Sequence, residues 1–216
     1  MNFGYLWQLF HYFRFAVRFK KRVGCNHALY AVQSVVRHFT NGNSTVNLCA
    51  LDMSKAFDRV NHYALFIKLM DRNVPVALIN ILIHWYGICT AFVRWDSEFS
   101  DVICLQCGVR QGGVLSPVLF TVYVNDVIMA LSVSGYGCYF HSLFVGCIMY
   151  ADDLMLLSPS LCDLQLMIDI CCDELEKIDM SLNVSKSQVR IGELHARKVN
   201  SVVINGSPVE FVAEMK

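Results

Sequence analysis

Residues 149–158 read Met-Tyr-Ala-Asp-Asp-Leu-Met-Leu-Leu-Ser, which places two acids in a tight turn between apolar strands. Residues 45–52 read Thr-Val-Asn-Leu-Cys-Ala-Leu-Asp, an apolar run that ends at Asp52. A short apolar run of this kind is typical of a buried strand. An acid at the end of a buried strand and an acid pair at a hairpin tip can converge on one place. The two stretches therefore predict a β-sheet with carboxylates gathered at one end.

Charge limits what such a cluster of carboxylates can do. Converging carboxylates repel one another unless a divalent cation neutralises them. Oxygen ligands with no nearby His or Cys favour Mg²⁺, or Mn²⁺, over zinc. Two such ions about 3.5–4 Å apart would hold the attacking and leaving oxygens of a phosphoryl transfer.

A third segment, residues 108–117, reads Gly-Val-Arg-Gln-Gly-Gly-Val-Leu-Ser-Pro, a glycine-rich loop that runs into a helical pattern. Each segment alone has a simpler explanation. An Asp-Asp pair is usually a solvated turn, and a Gly-Gly pair is more often a turn than a substrate cradle. An acid after a strand can also cap a helix, since Asp58 and Asn61 precede a helical pattern. The occurrence of all three segments in this order favours a catalytic site.

The spacing of apolar residues predicts the remaining elements. Helices are predicted over 27–39, 63–71, 76–86 and 115–131, and another begins at the capping box Ser160-x-x-Asp163. Strands are predicted over 45–51, 135–150, 154–158, 188–191, 199–204 and 208–212, with a hairpin of 91–95 and 99–105 around residues 96–98. Strands interleaved with helices and hairpins indicate the α+β class, an antiparallel sheet with helices packed on one face.

The composition excludes several classes of protein. The 216 residues are 55% hydrophobic and 17% charged, which excludes disorder and a coiled coil. The net charge is zero, but residues 1–51 carry six Lys or Arg and no acid, so a basic segment precedes an acidic remainder. Residues 73–93 and 127–151 lack charge for longer than the roughly 20 residues of a spanning helix. Pro, Gly, Ser and His interrupt these two stretches, so we expect core elements and no membrane.

Ten cysteines are scattered along the chain, and Cys171 is adjacent to Cys172. Neighbouring residues in a helix cannot bridge without distorting the backbone. Cys104-x-x-Cys107 is a single pair without a second pair or His partners, which disfavours a zinc site. We expect buried free thiols in a reducing, intracellular compartment, in either the nucleus or the cytoplasm.

The three segments resemble the palm motifs of reverse transcriptases, most closely those of non-LTR (LINE-type) retrotransposons. The sequence Asp52-x-x-Lys-Ala-Phe-Asp-x-Val-Asn is similar to the first palm motif, residues 108–120 to the second, and Tyr150-Ala-Asp-Asp to the third. Downstream, Leu182-Asn-Val-Ser-Lys resembles the fourth motif, and residues 203–209 resemble the approach to the primer-gripping hairpin.

The resemblance implies a fold and a domain organisation. The fold is a right-hand polymerase palm, a ferredoxin-like α+β domain with an antiparallel sheet, together with a partial fingers region. Residues 19–216 would form the partial fingers and the palm, and this stretch would end before the thumb. Residues 1–18 form an atypical aromatic and basic segment. On this view the chain is a truncated piece of a larger polyprotein, without complete fingers, thumb and endonuclease regions.

The resemblance also implies the metal site. Asp52, Asp152 and Asp153 would be the catalytic, metal-binding carboxylates, assisted by the backbone of Met53. They would hold two Mg²⁺ ions, with Mn²⁺ as a possible substitute.

Further roles follow from the same resemblance. Phe57 would lie under the sugar of the incoming dNTP, Gln111 and Gly112 would line the nucleotide pocket, and Lys186 would stand near the triphosphate. An RNA template and a DNA primer would be the partners, and their contacts would include Lys20, Arg110 and Tyr150.

The function implied is RNA-directed DNA polymerisation, a nucleotidyl transfer by two-metal catalysis. Two alternatives stay open. One is a catalytically inactive retrotransposon remnant that binds nucleic acid or protein. The other is the palm of an RNA-dependent RNA polymerase, which shares the acids; such enzymes typically carry Gly before the Asp pair, where this chain has Ala151.

Overall fold

The computed structural model describes residues 25–192 and 201–213. These residues divide into two compact units. The first unit contains the described residues up to Ser54 and those from Val124 onward, and the second is Lys55–Tyr123. The second unit is thus inserted in the sequence of the first.

Five helices and thirteen short strands make up the described part of the chain. The helices are α1 (Cys25–Asn41), α2 (His62–Asp71), α3 (Val76–Gly87), α4 (Ser116–Val133) and α5 (Leu161–Glu176). The strands are β1 (Asn47–Asp52), β2 (Thr90–Ala91), β3 (Arg94–Trp95), β4 (Glu98–Phe99), β5 (Ile103–Cys104), β6 (Tyr139–Phe140), β7 (Leu143–Phe144), β8 (Cys147–Tyr150), β9 (Asp153–Ser158), β10 (Gln188–Arg190), β11 (Val203–Ile204), β12 (Ser207–Pro208) and β13 (Glu210–Phe211). A short 3₁₀ helix, Ala56–Arg59, follows β1.

The first unit is built on a five-stranded sheet in the order β13-β10-β1-β9-β8. Strand β1 is central and pairs antiparallel with β9 on one side and β10 on the other. Strand β8 continues the antiparallel order, whereas β13 pairs with β10 in parallel. The predicted antiparallel sheet is therefore confirmed, with one parallel edge strand.

Alternation along the strands gives the sheet two apolar faces. Leu48, Ile148 and Leu157 project from one face and form a core cluster with Ala31 and Val35 of α1. Burial of their apolar surface stabilises the folded state by roughly 25 cal/mol per Å².

Helix α5 packs against β9 and β1. Its apolar stripe, at helical spacing, consists of Leu164, Met167, Ile168, Cys171 and Leu175. Cys171 lies near Cys49, the neighbour of Leu48 on β1, and so on the opposite face from α1. The α+β palm-like class is confirmed, but helices cover both faces of the sheet rather than one. The reason is that β1 and β9 are apolar at successive positions and not only at alternate ones.

A buried asparagine fastens the start of β1. Asn47 is fully buried, and its side-chain amide donates to the Ser158 carbonyl at 3.2 Å. Its side-chain oxygen accepts from the Gly192 N–H at 3.1 Å. One side chain thereby links β1 to the end of β9 and to the segment that follows β10.

The second unit contains α2, α3 and a long hairpin. Asn61 caps α2, because its side-chain oxygen accepts from the Tyr63 and Ala64 N–H groups at 3.0 and 3.3 Å. In the hairpin, β3 pairs with β4, and β2 pairs with β5 farther from the tip. The turn at Asp96, where φ is +57°, lies where the sequence predicts it.

One predicted strand, 135–150, is divided into three strands. Strands β6 and β7 form a tight hairpin of their own, and β8 alone enters the main sheet. The division follows from the backbone, because Gly137 and His141 have φ values of +91° and +52°, which a continuous strand excludes. The predicted strand 199–204 falls partly, and the segment 1–18 wholly, outside the described residues.

One described helix, α4, is long and apolar enough to cross a membrane by length and composition, and half of its 18-residue window is buried. The core helix of a soluble protein passes the same test, so the evidence for a span is weak. The apolar stretch 73–93 forms α3, whose 12 residues fall short of a span.

All ten cysteines are free thiols, as predicted, but they are not all buried. Cys49, Cys138 and Cys171 are buried, and burial raises the pKa of the Cys49 thiol to about 12. Four are exposed: Cys25, Cys104, Cys107 and Cys162.

We predict that Asn47→Leu lowers the free energy of unfolding by about 2–4 kcal/mol. The change keeps the branched shape of the side chain but leaves the Ser158 carbonyl and the Gly192 N–H without their partner, at roughly 1–3 kcal/mol for an unsatisfied buried group. Urea denaturation measures the difference. Gln33→Leu, at an exposed position of α1, is the control and should change stability by no more than about 0.5 kcal/mol; an equal effect of both substitutions would contradict the prediction.

We also predict that the buried thiols are protected from alkylation. At pH 8 a thiol with a pKa of about 12 is ionised to a fraction of about 10⁻⁴, and only the thiolate reacts. The four exposed cysteines should be labelled in the native protein, and Cys49 and Cys171 only in urea. Mass spectrometry of alkylated peptides locates the labels, and native labelling of Cys49 at the rate of Cys25 would show that this core is wrong.

Candidate active site

Two carboxylates meet at one end of the central strand pair. Strand β1 ends at Asp52, β9 begins at Asp153, and these residues are direct partners in the antiparallel register. Directly opposite residues project from the same face, with Cβ atoms about 4.5–5.5 Å apart. Asp52 is half-buried and Asp153 is exposed. The pairing of β1 with β9 therefore sets the two acids side by side.

The third acid lies in the turn between β8 and β9. Tyr150 pairs with Asp153, which leaves a loop of two residues, Ala151 and Asp152. Ala151 is buried with φ at +59°, the conformation that a type II′ turn requires at its first position and that Gly usually supplies. An L-residue there costs roughly 1–2 kcal/mol. The strand pairing on both sides maintains this strained turn and keeps Asp152 beside Asp153.

The backbone of Met53 is directed toward the same turn. Met53 forms an isolated bridge with Leu182, framed by hydrogen bonds from the Ser54 N–H to the Ser181 carbonyl at 2.9 Å and from the Asn183 N–H to the Asp52 carbonyl at 2.8 Å. In such a non-hydrogen-bonded pair the N–H and C=O of Met53 point away from Leu182. They therefore point to the side of β1 on which β9 lies.

A cleft of about 490 Å³ opens between α1 and the acidic end of the sheet. Asp52, Asp153, Tyr150 and Lys186 all line this cleft. Lys186 reaches it because the Ser187 hydroxyl accepts from the Asp52 N–H at 3.3 Å, which ties the turn before β10 to the end of β1. An anionic and a cationic group thus share one cavity.

Cys25 and Gln188 line the same cleft and are not among the site residues predicted from the sequence. Cys25 is the first residue of α1 and Gln188 the first of β10. Helix-on-sheet packing brings Cys25 to the cleft, and strand pairing brings Gln188. Only a three-dimensional signal could have identified them.

The chemical type of the donor atoms at this end of the sheet suits a divalent cation. Asp52, Asp153 and Asp152 offer carboxylate oxygens, and Met53 offers a carbonyl, all hard ligands suited to Mg²⁺. Within residues 25–192 and 201–213, no three His, Cys, Asp or Glu side chains form a group that could hold a metal ion by themselves. Mg²⁺ is usually held by one or two carboxylates together with substrate phosphates, so two acids in register meet the protein's share of such a site.

In the second unit, Phe57 lies on the 3₁₀ helix that follows β1. It is half-buried, and its ring stacks on Phe120 of α4 with centroids 4.7 Å apart and planes inclined at 22°. Packing therefore holds one face of the ring, while part of the side chain stays accessible.

The glycine-rich loop of the second unit presents its polar residues to solvent. Arg110, Gln111 and Gly112 are exposed, and Gly112 has φ at +81°. The Gln111 side-chain amide donates to the Asp58 carboxylate at 3.4 Å. The Val109 N–H donates to the Phe57 carbonyl at 2.7 Å, so the loop is bound to the segment that carries Phe57.

The predicted residues thus form two groups, one in each unit. Strand register brings together Asp52, Tyr150, Asp153 and Lys186 at the cleft of the first unit. Asp152 lies in the adjoining turn and Met53 directly follows β1, but neither is among the residues that line this cleft. Backbone hydrogen bonds associate the second group, Phe57, Arg110, Gln111 and Gly112. Lys20 lies outside the described residues.

Comparison with known proteins gives a consistent result. Residues 6–209 match the family described as reverse transcriptase (RNA-dependent DNA polymerase), and this match includes part of the N-terminal segment. The Pol polyprotein of the type-2 retrotransposable element R2DM of Drosophila melanogaster is 27% identical over 163 residues, which are 76% of this chain and 15% of that protein. The RNA-directed DNA polymerase of the mobile element jockey of Drosophila funebris is 28% identical over 212 residues, 94% of this chain and 22% of that protein.

Solved structures show the same fold. Apo telomerase from Candida tropicalis, truncated from its C-terminal domain, superposes with a TM-score of 0.62 at 16% identity, covering 94% of this chain and 42% of that one. Telomerase from the same organism, in complex with a TWJ fragment of telomeric RNA, gives a TM-score of 0.63 at 14% identity, covering 97% of this chain and 36% of that one.

The sequence match extends over nearly the whole chain, and the motifs it contains form the acidic end of a palm-like sheet. A reverse transcriptase domain uses divalent metal ions, in agreement with the oxygen donors gathered there. The chain belongs to the reverse transcriptase family, and its relatives are the polymerases of non-LTR retrotransposons such as R2 and jockey.

Proposed function

We propose that this chain carries out RNA-directed DNA polymerisation as the palm and partial fingers of a non-LTR retrotransposon polymerase. The observation that carries the proposal is the register pairing of Asp52 with Asp153 at the wall of a cleft, within a chain of this family. The chain spans 15% and 22% of the length of the R2DM and jockey proteins, so the activity is proposed for the protein that contains this sequence.

The reaction is the transfer of a nucleotide to a primer. The primer 3′-hydroxyl oxygen forms a bond with the α-phosphorus of a dNTP, the bond from that phosphorus to the bridging oxygen breaks, and pyrophosphate leaves with the electron pair. The hydroxyl proton passes to solvent. Charge builds on the attacking and leaving oxygens, so catalysis consists mainly of positioning and electrostatic stabilisation.

Asp52, Asp152, Asp153 and the Met53 carbonyl are the groups that would hold Mg²⁺, or Mn²⁺, and two ions would be held in the proposed mechanism. Bound there, the ions would supply Lewis-acid stabilisation of the attacking and leaving oxygens. The contribution of the protein is the register that keeps Asp52 and Asp153 adjacent. A second contribution is the tight turn that holds Asp152 beside them.

The other side chains bind and orient the reactants. The Lys186 ammonium, on the wall of the same cleft, would offset charge on the triphosphate. Phe57 would support the sugar of the incoming nucleotide, and Gln111 and Gly112 would line its pocket.

The nucleic-acid partners proposed are an RNA template and a DNA primer. Tyr150 would contact them from the cleft, Arg110 from the exposed loop, and Lys20 from the basic N-terminal segment. The telomerase with a similar fold is described in complex with a fragment of telomeric RNA, which supports an RNA ligand for this fold. We further propose an intracellular location, since ten free thiols suit a reducing compartment.

We predict that Asp152→Asn, in the intact protein that contains this sequence, lowers single-nucleotide primer extension by at least about 10²-fold. Loss of one charge-stabilising group at a reacting centre has effects of this size. Binding of the primed RNA template, measured by fluorescence anisotropy, should be nearly unchanged, because the proposed nucleic-acid contacts are made by Lys20, Arg110 and Tyr150 and not by Asp152.

Asp173→Asn, an exposed acid on α5, is the matched control and should leave extension unchanged. Normal extension by Asp152→Asn would show that the metal assignment is wrong. If the wild-type protein binds the template but extends no primer, the chain is the inactive remnant rather than a polymerase.

We predict that Phe57→Val increases the incorporation of ribonucleotides relative to deoxyribonucleotides, because the shortened side chain no longer excludes a 2′-hydroxyl. The measurement is the ratio of kcat/KM for rNTP and dNTP on one primed template. The competing explanation is that Phe57 only packs on Phe120. A packing defect, smaller than the about 3–5 kcal/mol of a fully buried Phe→Ala change, would affect both sugars equally.

Phe120→Leu supplies the control for that packing. It removes the stacking partner without shortening the side chain of Phe57, so it should reduce the use of both nucleotides together. An unchanged rNTP-to-dNTP ratio in Phe57→Val would assign the residue to the core.

A further inference from the structure

The second unit contains a buried histidine with a specific polar contact. His62, the first residue of α2, is buried, and its Nε2 lies 2.8 Å from the Gly108 carbonyl oxygen. A carbonyl oxygen only accepts, so Nε2 carries a proton and donates, in the neutral ring or in the imidazolium. The ring is held by Tyr86 of α3, with centroids 4.3 Å apart. The donor is therefore fixed in place by packing.

The acceptor is the first residue of the glycine-rich loop. Gly108 has φ at +90°, and a Cβ there would lie 2.9 Å from the Asp58 carbonyl oxygen and 3.1 Å from its Cα. The loop backbone thus lies directly against the segment that carries Phe57. Only glycine fits at this close approach, so the backbone at Gly108 and the backbone at Asp58 are held at a fixed spacing.

Backbone hydrogen bonds join the two segments along this contact. The Gly108 N–H donates to the Val60 carbonyl at 2.8 Å, the Val109 N–H donates to the Phe57 carbonyl at 2.7 Å, and Asn61 forms an antiparallel bridge with Cys107. His62 is the next residue after Asn61 and adds a side-chain bond at the same end. Together these contacts set the distance between Phe57 and the loop that presents Gln111.

Beyond Val109 the loop is closed by one backbone hydrogen bond, in which the Gly113 N–H donates to the Arg110 carbonyl at 3.0 Å. Arg110, Gln111 and Gly112 are exposed, and the Gln111 contact to Asp58 is long, at 3.4 Å. The position of Gln111 relative to Phe57 therefore depends on the anchored residues 107–109, where His62 donates the buried side-chain bond.

We propose that His62 is a positioning residue that, through its hydrogen bond to the Gly108 carbonyl, aligns Gln111 with Phe57 and so governs nucleotide selection. This inference rests on the proposed function. His62 would act through the Gly108 carbonyl and not by contact with the nucleotide.

The test compares two amides that differ by one methylene. His62→Gln places a side-chain N–H at about the reach of Nε2, whereas His62→Asn is too short to contact Gly108. His62→Asn should raise the KM for dNTP by about 10-fold, in the range of one lost hydrogen bond of a buried side chain, with a smaller change in kcat. Discrimination against rNTP should also fall. His62→Gln should restore most of the wild-type KM for dNTP and most of the discrimination against rNTP. His84→Phe, at an exposed site on α3, is the control and should match wild type.

Amide hydrogen exchange at Val109 and Gln111 gives a readout that does not require activity. Exchange should be faster in His62→Asn than in His62→Gln, by more than the difference between their midpoints of urea denaturation explains. Unchanged exchange in His62→Asn would overturn the proposal. It would also be overturned if kcat, dNTP affinity and template affinity all fell in equal proportion together with a lower stability. If wild type extends no primer, the proposed function fails and the selection role fails with it, while slow exchange in wild type would still identify the anchor.

Discussion

The antiparallel register between β1 and β9 is the constraint on which the candidate active site depends. Six consecutive residue pairs, from Asn47–Ser158 to Asp52–Asp153, are aligned in this ladder. Side chains alternate between faces with a period of two, so a slip of one residue would send Asp52 to the opposite face of the sheet. The positions of the carboxylates are therefore set by the apolar residues that bury the two strands. Packing on both faces, by α1 and α5, makes any other register unfavourable.

The two units hold their functional groups by different physical means. In the first unit, ladder hydrogen bonds and a strained two-residue turn position the acids, and the Ser187 hydroxyl brings Lys186 to the same cleft. In the second unit, an irregular loop depends on close backbone approach at Gly108 and on one buried imidazole. In the first unit the strands and their turns thus carry the groups that would perform the chemistry. In the second unit a loop carries the groups that would select the nucleotide.

Much of this arrangement could be predicted from the sequence because the signals are local. The apolar run before Asp52 and the helical spacing of 76–86 correspond to β1 and α3 within two residues. The acid pair after Ala151 lies in the tight turn expected of it. Tertiary relations were beyond such signals. The donation from Asn47 to Ser158 joins residues 111 positions apart, and no local pattern indicates that partner. The same holds for Cys25 in the cleft and for His62 beneath the glycine-rich loop.

The insertion of the second unit between β1 and β9 has a consequence for how the protein is made. About 100 residues separate the two strands, and closing a loop of that length carries an entropic penalty of about 4 kcal/mol by the (3/2)RT ln n rule. During synthesis β1 emerges first and has no strand to pair with until the inserted unit and β9 have followed. The inserted unit, by contrast, has its own local contacts and can fold as it emerges. The central apolar strand is thus exposed for longer than the other strands of the sheet, which makes it the strand most open to aggregation while the protein folds.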